Sequence, residues 1–444
     1  MQPVHRKLNR RDMRTLGLAS LGGALEFYDF IIFVFFTKII SHLFFPENID
    51  GWIATTLTFG IFAAGYLVRP VGGIIMAHFG DKTGRKRVFT FSILLMALST
   101  LGMALVPTYA SIGILAPVLL VLLRMLQGAA IGGEVPGAWT FVAEHVPARY
   151  VGLATGILTS GLSMGILFGS LITGFINFAM PDDVVHSFGW RLAFALGGIF
   201  GLFAVWLRRW LDETPVFQEM KNTRTLSREI PLKIVITRHF SGVAISVLLT
   251  WCLSAVVMIT ILLTPILLQS SPYMYPAGIA LAANCITCFF LILATPVAGY
   301  LCGRIGSGRF FAVAGLLFSL IAWFFYHYAG VSVGMLFMMS AFLGFFAGFI
   351  GAVAYVMVHA FPAAVRFSGL SFSYNISYAI FGGLTPVMIS LIQSFVPMAH
   401  VWYLAGIGGL ASLIGFYLLA FGERRHVSAS IEEGHVDHLS SQPS

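Results

Sequence analysis

The sequence predicts an all-α integral membrane protein of twelve transmembrane helices, arranged as two pseudo-symmetric six-helix bundles. Three observations predict it. Hydrophobic residues make up 58% of the chain and charged ones only 10%, with a mean hydropathy of +0.89; no soluble fold hides that much apolar surface, so the solvent is lipid. Apolar runs long enough to cross a ~30 Å hydrocarbon core recur along the whole chain. Strings from the first half also return in the second. The loop Gly80-Asp81-Lys82-Thr83-Gly84-Arg85-Lys86-Arg87 has a degraded copy in Gly299-Tyr300-Leu301-Cys302-Gly303-Arg304-Ile305-Gly306, at an offset of 222 residues. Arg149-Tyr150-Val151-Gly152-Leu153 matches Arg366-Phe367-Ser368-Gly369-Leu370 at an offset of 217. Repeat halves of this kind build many transporters.

Six spans in the first half are predicted at residues 16–40, 52–78, 88–106, 111–141, 150–178 and 189–208. The second half repeats them at 241–268, 276–302, 309–329, 332–358, 367–395 and 399–421. The chain therefore divides into an N-terminal bundle (1–208), a polar linker (209–240), a C-terminal bundle (241–422) and a disordered tail (423–444) rich in Ser and His.

With both termini on one side, the loops of that side carry 22 of the 26 Lys and Arg residues, so the termini are expected to be cytoplasmic. The formal charge of +8 then reflects topology, and nucleic acid is not an expected partner. His5 to Arg14 is a basic flank to an apolar run too long for a cleaved signal. Four cysteines in apolar helices or on the inner side do not form a disulfide framework, and Cys285 and Cys288 have no His or acidic neighbours to complete a metal site. No nucleophile triad or phosphate loop can be assembled, so an enzyme is not expected. No cofactor is expected either, only a proton gradient.

An ionised side chain at mid-bilayer costs about 3 kcal/mol, so each one kept inside an apolar helix needs a partner or an aqueous cavity. Five stand out, all in the first half: Glu26 and Asp29 on the first helix, Arg69 on the second, Arg124 and Glu134 on the fourth. Helix rise puts Arg69 roughly 18 Å above Asp81, near mid-membrane, and Asp29 roughly 22 Å above Arg14. Asp29 can pair with Arg124, and Glu26 with Arg69, either as static ion pairs or as sites that load and release a proton when the pair opens. Glu134 lies between Gly132-Gly133 and Pro136-Gly137, where an acid can simply cap a break. The second half offers neutral groups at helical spacing: Asn284, Cys288 and Thr295 on the eighth helix, and Ser371, Asn375 and Tyr378 on the eleventh.

The Gly80 to Arg87 loop resembles the signature loop of the major facilitator superfamily. Further strings resemble its metabolite:proton symporter branch: Leu25-Glu26-Phe27-Tyr28-Asp29-Phe30, Arg69-Pro70-Val71-Gly72-Gly73, Arg124-Met125-Leu126-Gln127-Gly128, Gly132-Gly133-Glu134, Glu213-Thr214-Pro215-Val216-Phe217, and Phe361-Pro362 through Gly369. Ser373-Tyr374-Asn375 and Phe381-Gly382-Gly383 also fit. The resemblance implies alternating access, a site between the halves, and import of a small carboxylate or zwitterion with protons, as in α-ketoglutarate, citrate, shikimate and proline/betaine permeases. Gly23, Phe27, Ala77 and His359 depart from the family's usual residues. The first two fall in the expected cavity, so substrate identity does not carry over.

The resulting expectation is a proton-coupled importer of a small organic anion or zwitterion. Arg69 anchors the carboxylate, with Tyr28, Tyr374 and Asn375 contacting substrate. Asp29, modulated by Arg124, is the leading proton site, with Glu26 in reserve and Glu134 a further candidate. Asp81, Gly84, Arg85, Arg87, Arg149 and Arg366 form the cytoplasmic gate. The expected setting is a bacterial inner membrane, with substrate, protons and lipid as partners and the protein a monomer. Rival readings are a proton-coupled efflux pump, a siderophore or chelate transporter, and a transporter-like membrane sensor.

Overall fold

The computed structural model describes residues 7–83, 85–207, 231–393 and 395–439; the side chains of residues 11, 26, 30, 78, 80–83, 85–87, 89, 231, 364, 390 and 422–439 fall outside it. Among the described residues, eleven helices are long and apolar enough to cross a membrane, and a shorter apolar helix at Thr90–Leu105 makes a twelfth. In chain order they are α1 Arg10–Phe35, α2 Gly51–Thr83 and α3 Arg85–Leu105, then α4 Leu115–His145, α5 Ala148–Ala179 and α6 Asp182–Leu207. The second half comprises α7 Phe240–Leu268, α8 Ala277–Ile305, α9 Ser307–Tyr328, α10 Val333–His359 and α11 Arg366–Gln393, and α12 Ala399–Leu439.

Local chemistry sets several ends. Asn9 and Asp12 form a reciprocal capping box, with hydrogen bonds of 2.8 and 2.9 Å, so α1 starts at Arg10 rather than near residue 16. At its far end, α12 has helical backbone through Leu439, where a disordered tail is expected from residue 423; no proline interrupts it. Of the expected linker, the described part is a short helix, Pro231–Arg238.

The internal repeat reappears as packing. Within the first half α1 packs on α5, α2 on α4, and α3 on α6; within the second, α7 packs on α11, α8 on α10, and α9 on α12. Between the halves, α5 meets α8 and α2 meets α11, which are equivalent contacts under the same exchange. Glycines permit the close approaches. A Cβ at Gly128 would fall on the Gly65 carbonyl, and one at Gly152 on the Gly299 carbonyl across the halves. In lipid no hydrophobic force favours one helix partner over the surrounding tails, so this tight van der Waals fit carries much of the association. Gly128→Ala is therefore expected to destabilise the protein by about 1–3 kcal/mol. A melting curve in detergent checks this, and an unchanged midpoint would count against it.

Several spans depart from a regular α-helix, four of them within their length. Helix α4 is interrupted at Gly132-Gly133, four residues before Pro136, whose ring clashes with the carbonyl at that distance. At the corresponding position in the second half, α10 tightens to a 3₁₀ segment, Gly348–Ala352. Helix α7 widens to a π-helix over Val257–Leu263, and α11 over Tyr378–Gly382. Such π-turns concentrate at functional sites, and the one in α11 begins at a residue of the site described next.

Candidate functional site

Arg69, just ahead of Pro70 within α2, is 1% exposed. Tyr66 lies three residues earlier on the same helix face, and Tyr374 and Tyr378 lie four apart on α11 of the other half. The Arg69 guanidinium carbon is 5.1 Å from the Tyr66 ring centroid, 5.2 Å from that of Tyr374 and 4.5 Å from that of Tyr378. Tyr66 and Tyr378 stack at 5.8 Å with their planes 6° apart. Trp139 of α4 meets the Tyr374 ring edge-on at 5.3 Å. Its indole N–H is buried with no hydrogen-bond partner among the described residues. A cation among three aromatic faces gains about 0.5–2 kcal/mol per face when desolvated. The arginine is thus held at the seam between the halves by residues of both.

A second polar cluster lies inside the first half. Asp29 is fully buried. Its carboxylate oxygens rest against Gly197 and Gly201 of α6, beside Thr100 of α3, and complete no hydrogen bond among the described residues. The expected Asp29–Arg124 ion pair does not form. Arg124 instead places its guanidinium over Phe33 and Phe62, at 4.5 and 5.1 Å, and donates through Nη1 to the Gln127 amide oxygen. The Gln127 amide nitrogen donates to the Asp29 backbone carbonyl at 3.2 Å and to the Thr100 hydroxyl at 2.8 Å. The reason is azimuth: Asp29 turns toward α6 while Arg124 turns toward the phenylalanines of α1 and α2, leaving Gln127 as the bridge.

Three further assignments change. Tyr28, expected against substrate, donates its hydroxyl to the Ala193 carbonyl at 3.0 Å and packs edge-on to Phe200, inside the first half. Asn375, also expected against substrate, donates to the Gly132 and Ser371 carbonyls at 2.5 and 2.8 Å. Helix geometry explains it: the residue after Tyr374 points about a quarter-turn away from the arginine. Glu134 accepts from Ser92 of α3 at 2.7 Å, in the first turn after the α4 break, so it ties α4 to α3.

At the end of the bundle that carries the basic loops, Arg366 of α11 pairs with Glu144 of α4 at 3.5 Å and donates through Nε to the Val358 carbonyl. This ion pair joins the two halves. Arg149, its repeat partner, is exposed, with its guanidinium 5.9 Å from the Tyr150 ring; the position facing it by symmetry is Phe361, which offers no charge. The side chains of Glu26, Asp81, Arg85 and Arg87, and Gly84 as a whole, lie outside the described residues. Sequence reading missed Tyr66, Trp139, Gln127 and Thr100 as site residues. Tyr66 and Gln127 each sit three residues from a buried arginine, a helical neighbour spacing that could have flagged them.

Two six-helix bundles with a buried arginine held where they meet make a two-half membrane transporter. The chain belongs to the Major Facilitator Superfamily, whose family model matches residues 19–291. A putative proline/betaine transporter of Staphylococcus aureus (strain COL) is 34% identical over 93% of this chain and 88% of its own length. The inner membrane metabolite transport protein YhjE of Escherichia coli (strain K12) is 30% identical over 95% and 96%. The ectoine/proline transporter ProP of Corynebacterium glutamicum is 31% identical over 88% and 82%. Among solved structures, the proton:xylose symporter XylE bound to 6-bromo-6-deoxy-D-glucose superposes with a TM-score of 0.76 at 19% identity, covering 92% of this chain and 95% of that one, which establishes the shared fold.

Proposed function

We propose that this transporter imports a small carboxylate together with protons by alternating access, and that the carboxylate is a zwitterion bearing a cationic nitrogen. The observation that carries this reading is Arg69 at the seam, surrounded by Tyr66, Tyr374 and Tyr378. A guanidinium matches a carboxylate in a two-pronged pair. When Arg69 turns to a carboxylate, the tyrosine faces it leaves suit a secondary or quaternary ammonium, which has the same need for a π-surface. The relatives named as proline/betaine and ectoine/proline transporters agree with that chemistry. Asp29 carries the proton, and Arg124 acts on it through Gln127. The basic face is cytoplasmic, the membrane is a bacterial inner membrane, and the working unit is a monomer that needs no cofactor.

Trp139 supplies a second contact, its indole N–H donating to the substrate carboxylate. A hydrogen bond to a charged group is worth about 1.5–3 kcal/mol, so Trp139→Phe should weaken substrate affinity by roughly tenfold or more. Equilibrium binding in detergent checks it, and equal affinity removes Trp139 from the site.

Uptake of a pooled mixture of organic acids, amino acids and betaines into proteoliposomes tests the whole reading, with and without an inward proton gradient. One zwitterion enriched only under the gradient is expected. Voltage then separates substrate classes. A zwitterion with one proton moves a net charge, worth about 2.3 kcal/mol or roughly fiftyfold accumulation per 100 mV, whereas a monoanion with one proton gains nothing. Enrichment of nothing would overturn import.

A further inference from the structure

The strongest unassigned feature is a pair of hydrogen bonds between the halves, each made to a backbone carbonyl that a proline has left without its helical donor. In α4, the Gly132 carbonyl would take the N–H of residue 136, but Pro136 has none. Asn375 from α11 fills the vacancy at 2.5 Å, with the Ser371 hydroxyl a longer donor at 3.4 Å. In α8, the Ile292 carbonyl would take the N–H of residue 296, and Pro296 again has none. Ser160 from α5 donates to it at 2.9 Å, alongside a 3.4 Å contact from Thr295 of the same helix. Both bonds cross between the halves, one from α11 to α4 and the other from α5 to α8.

We infer that these proline-freed carbonyls are the seats on which the halves close toward the basic face, and that Asn375 is the positioning residue that links closure to the substrate site. The inference rests on the alternating-access reading above. Asn375 follows Tyr374, whose ring faces the Arg69 guanidinium, and Gly132 packs under the backbone carbonyl of Arg69. Both partners of the bond are therefore attached to the site. A substrate that draws Arg69 from Tyr374 shifts the helix segment that holds Asn375 against Gly132.

The bond is built to be reversible. Asn375 is fully buried, and its carbonyl oxygen has no partner among the described residues. Closure thus leaves one acceptor unsatisfied, and opening lets water reach both it and the Gly132 carbonyl. The latch is also one-sided. The residue equivalent to Asn375, 217 positions earlier, is Leu158, which cannot donate.

Hydrogen–deuterium exchange on the full chain in lipid nanodiscs, without substrate or gradient, tests this for Asn375→Ala, Ser160→Ala and Pro136→Ala. Pro136→Ala is the discriminating variant: it restores the N–H that Gly132 lacks, repairs α4, and so competes with Asn375 without touching it. All three are expected to raise exchange about five- to tenfold at the basic-face ends of α4, α5 and α11, at 136–145, 148–157 and 366–374, while the opposite ends of the same helices stay as protected as in the wild type. Unchanged exchange in Pro136→Ala, or an equal rise at both ends of each helix, overturns the inference, because the second pattern is general loosening. Should Asn375→Ala fail to fold, the other two variants decide. A failed substrate screen with this exchange pattern intact would sink the substrate reading and leave the latch standing.

Discussion

Arg69→Ala is expected to weaken binding of the transported carboxylate by roughly thirtyfold to more than a thousandfold while the protein still folds. The lower bound follows from the cost of truncating one partner of a desolvated charge pair, about 2–5 kcal/mol. Folding should survive, because a cation near mid-membrane costs about 3 kcal/mol to place, and losing it offsets the lost contacts with Tyr66, Tyr374 and Tyr378. Arg69→Lys separates charge from shape. Lysine keeps the cation but lacks the planar fork and stacks less well on the tyrosine faces, so an intermediate loss is expected. Binding of labelled substrate to purified protein, read beside a melting curve, checks both variants. Wild-type affinity in a folded Arg69→Ala protein removes Arg69 as the anchor.

What the chain disclosed in advance follows from how strongly lipid constrains it. Backbone polar groups in a hydrocarbon core must be satisfied within the segment, so the spans were legible from hydropathy alone, and the duplicated Arg149 and Arg366 strings showed their division into halves. Arg69, Asp29 and Arg124 were legible as candidates because an unexplained charge in an apolar helix has a known cost. Their partners were not. Rise per residue gives depth, and depth alone made Asp29 and Arg124 look like neighbours; the direction each side chain takes around its helix depends on glycines of another helix, Gly197 and Gly201, that no local pattern connects to Asp29. The same limit misplaced Tyr28 and Asn375. One signal was present and unused: proline four residues after a carbonyl marks an acceptor that some other group must satisfy.

The two halves share a frame but divide the chemistry. The first carries the buried charges, and the second contributes tyrosines and neutral donors that face them across the seam. Arg366 with Glu144 and Asn375 with Gly132 both run from α11 to α4, while their symmetry equivalents, Arg149 opposite Phe361 and Leu158, are silent. Closure toward the basic face is thus held asymmetrically. That asymmetry makes α4 and α11 the pair that communicates with the Arg69 site.

Asp29→Asn is expected to abolish accumulation and leave exchange intact. Asp29 touches Gly197 and Gly201 beside the Thr100 hydroxyl, and no arginine pairs with it among the described residues. Gln127 links it to Arg124, and a shift of α4 that carries this pair toward Asp29 would stabilise the ionised form and release a proton. Asparagine is nearly isosteric and permanently neutral, so it imitates the loaded state at every step. The variant can then bind and cross with substrate but gains nothing from a gradient. Each pH unit is worth about 1.4 kcal/mol, or tenfold accumulation per proton, and a 100 mV potential adds roughly fiftyfold for a zwitterion. Proteoliposomes loaded with unlabelled substrate should exchange labelled substrate at near wild-type rates in Asp29→Asn. The same vesicles, empty and given a proton gradient or a potassium diffusion potential, should only equilibrate. Normal accumulation would move the proton to another group, and loss of exchange as well would make Asp29 part of the conformational change itself.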